Sequence, residues 1–387
     1  MHDIVRLAIV TTHPIQYNAP WFKLLSEAEG ITVKVFYTWD TTAAKYDPGF
    51  GKVIEWDLPL LSGYEYSFVT NIAVDRGSHH FKGIDNPTLN KEIESWKADS
   101  VLVFGWAYKS HLACLRYFKN KIPVLFRGDS TLLDETPGLK KIIRRIFLKY
   151  IYSHVDYALY VGENNKQYFR AHGLKENQLV FAPHAVDNDR FGLDVYDEKV
   201  NHKKNNLQLN DCFTILFAGK LEPKKNPEFL LKLANNLTGA RYRFLIIGNG
   251  EMEQSLKESA GNDKRIMFLD FQNQQDMPVV YRLGDVFVLP SRGPQETWGL
   301  AINEAMVCGK PIITTYKTGC APDLIKGNGV VINPDDIDSA AAYISKLFSD
   351  KAYYTQQSMT SEKIVASYSY TAIINNITGL LKKIQNK

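Results

Sequence analysis

Two glutamates, Glu296 and Glu304, stand eight residues apart in the stretch Q-E-T-W-G-L-A-I-N-E-A-M-V-C-G-K (295–310), with Trp298, Gly299 and Leu300 between them. Carboxylates accept hydrogen bonds from hydroxyl groups, so such a pair suits a polyhydroxylated ligand. Upstream, 286–289 is a short apolar run closed by Pro290, the pattern of a buried strand. Downstream, 300–307 reads as a helix that stops at Gly309, with Pro311 just beyond. Glu296 then falls in the strand-to-helix loop, and Glu304 lies about one and a half turns into the helix. The helix N-terminus between them offers unpaired N–H groups and a positive dipole end, which suits a phosphate. An anion site flanked by two hydroxyl-accepting carboxylates is what a sugar nucleotide requires.

A second cationic element lies further upstream. Lys220 and Lys225 sit in the loop after the apolar run 214–218, around Pro223. Two fixed cations there would neutralise a diphosphate without a metal; the plain alternative is a solvated, lysine-rich turn. No metal-ligand cluster stands out, so neither a metal nor another cofactor is expected. Asp335 and Asp336 follow Pro334 and open a helical segment, which marks a helix cap and not a ligand pair. Gly248-Asn249-Gly250 is a weak signal on its own, since it lacks the third glycine of a dinucleotide fingerprint, and a tight turn explains it equally well. Phe271 and Gln272 follow a strand end, where main-chain groups could read a nucleobase edge or Phe271 could simply pack in the core.

These residues need a scaffold. Short β-rich runs alternate with helical patterns, the signature of βαβ units and parallel sheets. Strands are predicted at 7–10, 33–37, 101–104, 124–126, 158–161 and 180–182. A second set is predicted at 214–218, 243–247, 266–269, 286–289, 312–315 and 330–332. Residues 194–211 are the most polar stretch, so 193–212 reads as a linker or excursion between domains 1–192 and 213–366. Segment 367–387 carries an amphipathic helix after the last strand. At 387 residues, two domains are the default. Net charge is only +4, and residues 1–190 carry 23 basic and 21 acidic side chains, as many of each as the remainder, which excludes a nucleic-acid-type basic domain. Four scattered cysteines without zinc or C-x-x-C spacing read as reduced thiols. The absence of an apolar run near ~18 residues and of a signal-peptide pattern points to a cytoplasmic protein.

The pattern E-x7-E after the Val-Leu-Pro-Ser strand end resembles the donor site of retaining glycosyltransferases of family 4, with their GT-B fold. Thr12-His13-Pro14-Ile15-Gln16-Tyr17 is similar to the first loop of a bacterial subset of that family. Pro183-His184-Ala185-Val186-Asp187 and Gly219-Lys220 through Lys225 resemble the segments that close the first domain and open the second. The resemblance implies two Rossmann-like domains facing a cleft, with the C-terminal helix crossing back to the first. It also implies donor binding by Lys220, Lys225, Phe271, Glu296, Trp298, Gly299, Leu300 and Glu304. Glu296 would take donor-sugar hydroxyls and Glu304 the ribose hydroxyls. His13, Gln16 and Trp106 become acceptor-side candidates. Family members place a histidine at a later strand end; here Phe126-Arg127-Gly128-Asp129-Ser130 stands in that region. Asp129 is then a candidate for holding an acceptor hydroxyl or facing the developing positive charge, and Arg127 for binding diphosphate, unless the two form a structural pair.

The implied reaction is metal-independent sugar transfer from a nucleotide diphosphate, with UDP ahead of GDP, to a glycan or lipid-linked acceptor in bacterial polysaccharide assembly. A sugar-nucleotide epimerase of the same architecture is one alternative, and acceptor-dependent product formation separates it. A non-catalytic sugar-nucleotide-binding protein is another. One further stretch, 138–151 (G-L-K-K-I-I-R-R-I-F-L-K-Y-I), sets five cations beside an apolar stripe at helical spacing. Such a helix either lies on an anionic membrane at its inner face or covers the sheet with its apolar side.

Overall fold

The computed structural model describes residues 4–40, 45–47 and 52–386, with only the backbone described at 45–47 and 52–54. The chain divides into two compact units: Met1–Ala43, Pro59–His184 and Tyr370–Lys387 form the first, and Ala44–Leu58 with Ala185–Ser369 the second.

The first unit is built on a seven-stranded sheet. Its strands are β1 (Val5–Thr11), β2 (Ile31–Tyr37), β5 (Glu65–Phe68), β6 (Ser100–Phe104), β7 (Val124–Arg127), β8 (Tyr157–Tyr160) and β9 (Leu179–Phe181). Between β2 and β5 in the chain, a separate antiparallel hairpin that belongs to the second unit pairs β3 (Lys45–Asp47) with β4 (Lys52–Ile54). The sheet order is β5-β2-β1-β6-β7-β8-β9, and its neighbours pair in parallel. Strands such as β1, with Leu7, Ala8, Ile9 and Val10 fully buried, are apolar on both faces because helices cover both.

The second unit's sheet contains β10 (Phe213–Ala218), β11 (Tyr242–Ile247), β12 (Ile266–Leu269), β13 (Val286–Leu289), β14 (Ile312–Thr315) and β15 (Gly329–Ile332). Its order is β12-β11-β10-β13-β14-β15, with parallel neighbours. This is the doubly wound order, which reverses direction between β10 and β13. Helix Leu300–Val307 follows β13. Asp336 caps helix Ile337–Ser349 by accepting the Ser339 N–H at 3.0 Å.

Three expectations change. Residues 193–212 are not a linker: they contain helix Asp197–Asn206, whose Val200 is buried and which packs on helix Met277–Leu283 of the second unit. A helix with one apolar contact carries no readable periodicity. The second unit starts at Ala185, not at 213, and also takes 44–58 from the first half. Strand β5 and the β3–β4 hairpin had no counterpart among the predicted strands. The last helix, Tyr370–Gln385, belongs to the first unit; it buries Ile373, Ile377 and Leu381 and packs on helix Ala19–Ser26 and β9. Among the described residues, no helix is long and apolar enough to cross a membrane.

Candidate functional site

In doubly wound sheets, ligands bind beyond the strand C-termini where the order reverses. In the second unit that place lies at the ends of β10 and β13. Past β10 the chain runs through Gly219 and half-buried Lys220 into the turn Pro223–Lys225, closed by a left-handed Asn226 (φ 54°). The Asn226 side-chain amide donates to the carbonyls of Pro290 (3.1 Å) and Pro334 (3.0 Å). That clamp holds Lys225 beside the end of β13. There the Lys225 ammonium is ion-paired with Glu296, and the Ser291 hydroxyl donates to the same carboxylate oxygen at 3.0 Å. Glu296 is 7% exposed, and its neighbouring cation compensates the burial.

The loop carrying Glu296 is fixed from the side by a segment that sequence reasoning missed. Gly319 N–H donates to the Glu296 carbonyl at 2.9 Å, and Cys320 N–H donates to that of Trp298 at 3.0 Å. A Cβ on Gly319 would lie 1.7 Å from the Thr297 carbonyl oxygen, so only glycine permits this approach. One glycine after a strand has no signal of its own in a single sequence. Gly299 caps the following helix at φ 100°, a left-handed conformation natural to glycine. Leu300, half-buried, begins the helix.

Glu304 is 2% exposed, and the Tyr281 hydroxyl donates to its carboxylate at 2.6 Å. The Trp298 side chain corrects one expectation. It is buried, donates its indole N–H to Asn303 at 2.8 Å and packs on Tyr368, so only its backbone faces the loop. An aromatic side chain beside a site reads equally well as ligand platform or core. At β12's end, the Phe271 N–H donates to the Asn249 side chain (2.9 Å), and its half-buried ring meets Trp56 at 6.2 Å. Trp56 belongs to the 44–58 excursion, which is pinned here by Asn273 donating to the Glu55 carbonyl (2.7 Å) and by Gln275 donating through its side chain to that of Asp57 (2.7 Å).

In the first unit the order reverses between β1 and β6. His13 follows β1, half-buried, with its Nδ1 3.0 Å from the Thr12 hydroxyl and its ring against Trp39. Gln16 lies half-buried in the same loop. Trp106, after β6, packs against the first unit's core and meets Phe147 edge-on at 5.5 Å. Arg127 is a correction. Its guanidinium is 4% exposed, donates to the carbonyls of Ala182 (2.7 Å) and Pro183 (3.1 Å), and is pushed down to about 10 by burial. It ties β7 to the segment after β9 and is not presented to a diphosphate. Asp129 is more exposed and lies 3.6 Å from His184 Nε2. Burial holds His184 below the usual imidazole range, with Asp129 opposing that shift. His184, in the segment after β9, thus stands beside Asp129, which lies just past the end of β7.

Elsewhere in the first unit, Asp75, His79 and His80 bring ligating atoms within 4.8 Å of one another. Both imidazoles meet the single carboxylate, at 3.3 and 3.1 Å, which accounts for the grouping. Among the described residues the four cysteines are free, with Cys114 and Cys320 buried.

This architecture is the GT-B glycosyltransferase fold. A glycosyltransferase from Rickettsia africae superposes with a TM-score of 0.74 at 16% identity, covering 98% of both chains. Anabaena HepE in complex with UDP superposes at 0.73 with 15% identity, over 98% of this chain and all of that one (100%). Residues 198–364 match the family model of glycosyl transferases group 1. Among curated relatives, an Escherichia coli UDP-Gal:alpha-D-GlcNAc-diphosphoundecaprenol alpha-1,3-galactosyltransferase is 31% identical over 211 residues, 51% of this chain and 52% of the relative. The Escherichia coli O-antigen chain mannosyltransferase B is 31% identical over 145 residues, 36% of this chain and 37% of that one. The chain thus spans about half the length, or less, of the curated relatives it matches.

Proposed function

We propose that this chain is a glycosyltransferase that moves a sugar from a nucleotide diphosphate, with UDP favoured, to a hydroxyl of a glycan or lipid-linked acceptor, retaining the anomeric configuration. The observation that carries this reading is the enclosed Glu296–Lys225 pair beside the start of helix Leu300–Val307, at the second unit's reversal point. The relatives named for galactosyl and mannosyl transfer and the UDP-bound HepE support it.

In this reading Lys220, Lys225 and the helix N-terminus receive the diphosphate, and Glu296 accepts hydrogen bonds from donor-sugar hydroxyls. Glu304, oriented by Tyr281, faces the ribose. The bond from the anomeric carbon to the phosphate oxygen breaks, and the acceptor oxygen bonds to that carbon on the same face. The acceptor proton passes to the departing diphosphate. Catalysis rests on positioning and on stabilising the leaving group, with no bound ion required. Asp129 and His184 supply the acceptor side of the first unit.

Glu296→Gln tests the assignment. Nucleotide binding should persist by calorimetry while transfer falls by roughly 10²–10³-fold. Full transfer in that variant sinks the site, a product of inverted anomeric configuration by NMR sinks retention, and loss of activity to a chelator sinks metal independence.

A further inference from the structure

Helix Leu139–Tyr152 turns its apolar stripe outward. Leu139, Ile142, Ile143, Ile146, Phe147 and Tyr150 are 45–71% exposed, whereas Leu148, Ile151 and Tyr152 on the other side are buried in the first unit. At 3.6 residues per turn, the six exposed residues form one continuous arc of about 140°, opposite the core-facing side. The sheet is therefore covered by a different face from the one the sequence made conspicuous. Soluble surfaces carry single exposed apolar residues, but a contiguous face of this kind marks a docking surface.

Charge identifies the occupant. Lys140 and Lys149 are exposed and border the arc on its two sides, with exposed Arg144 beyond Lys140. Lys141 and Arg145 pair with Glu135 at 2.9 and 3.4 Å, which anchors the helix to the preceding loop. An apolar face bordered by cations matches the acyl boundary and headgroups of an anionic bilayer, with long basic side chains reaching the headgroup level. Phe147 also touches Trp106 at the end of β6, so this face adjoins the strand-end side of the first unit.

We infer that helix Leu139–Tyr152 docks the first unit onto an anionic lipid surface. The inference stands on the helix itself; it extends the transferase reading by putting the acceptor in that lipid.

The test uses the full chain and vesicles of phosphatidylcholine, alone or mixed with phosphatidylglycerol. Co-sedimentation should occur with the mixed vesicles and fall as salt rises. The triple change K140E/R144E/K149E should weaken it by at least fivefold per charge, roughly. Ile143→Glu with Ile146→Glu should abolish it, and both sites are exposed, so the fold is spared. UDP binding without vesicles, unchanged in the variants, separates failure of docking from failure of the donor site. Absence of binding to mixed vesicles, or binding indifferent to both variants, overturns the inference. So does a dimer in sedimentation velocity that the isoleucine pair disrupts in the absence of lipid, which would assign the face to a second copy.

Discussion

Lys225 and Glu296 are ion-paired in the second unit, with the carboxylate almost wholly enclosed and the ammonium about one-fifth exposed (7% and 19%). In the proposed transferase reading, a diphosphate arriving at Lys225 would compete with Glu296 for the same cation, and a sugar arriving at Glu296 would compete with Lys225. On that reading, donor binding would exchange one internal pair for two ligand contacts.

Removing the cation alone should be costly. Lys225→Ala leaves an enclosed carboxylate without its partner, at about 3 kcal/mol. Pairing it with Glu296→Gln removes the stranded charge and should recover most of that loss. Denaturant midpoints of the two singles and the double measure this, and additive losses would refute the coupling.

Gly319→Ala should act on the site from outside it. The new methyl meets the Thr297 carbonyl, and the loop bearing Glu296 must move. A shift of about 1 Å in a positioning element costs roughly 100-fold in transfer. The expected signature is a fall in kcat with the protein still folded, and unchanged kinetics would show that the loop accommodates the methyl elsewhere.

Arg127→Met should behave in the opposite manner. Two buried carbonyls, those of Ala182 and Pro183, lose their donor at about 1–3 kcal/mol each. Thermal stability should drop while UDP affinity of the folded fraction stays unchanged. A selective loss of UDP binding would return Arg127 to the diphosphate.

His111 sets an acid limit. It is fully buried, with Nδ1 2.7 Å from the Phe104 carbonyl and Nε2 2.9 Å from the Thr38 hydroxyl, and burial pushes its pKa down from 6.5 to about 4. Since a carbonyl only accepts, Nδ1 carries the proton and Nε2 accepts from Thr38. Between pH 6.5 and about 4 the unfolded chain binds a proton that the folded chain refuses, so stability falls as pH is lowered through that window. The loss is of order 3 kcal/mol, from about 1.4 kcal/mol for each tenfold change in proton concentration. Denaturation midpoints across this range should show a steeper acid decline in wild type than in His111→Gln.

Much of the second unit was legible because its strands are unbroken apolar runs: 266–269, 286–289 and 312–315 appear as β12, β13 and β14 with those bounds, and 300–307 as the helix. Strand β5 escaped because Glu-Tyr-Ser-Phe is an edge strand, half in solvent, without a β-branched run. The spacing of Glu296 and Glu304 was readable because both lie in one short loop-to-helix stretch of sequence. The partners that fix them were not. Lys225, Gly319 and Tyr281 reach the two glutamates only through the sheet, and Trp56 reaches Phe271 through an excursion from the other half. The helix Leu139–Tyr152 was readable as amphipathic, yet which face the core would take depended on Leu148, Ile151 and Tyr152, a narrower stripe than the one displayed outward.

Helix Tyr370–Gln385 completes a unit whose other parts end at His184. On the ribosome, the first sheet emerges early, but the helix that covers part of helix Ala19–Ser26 and β9 is made only after the whole second unit. At roughly 5–20 residues per second, that interval is on the order of ten seconds or more. Throughout it, the nascent first unit exposes the apolar surface that Ile373, Ile377 and Leu381 later bury. Birth order thus leaves the amino-terminal unit without its covering helix until the whole second unit has been translated.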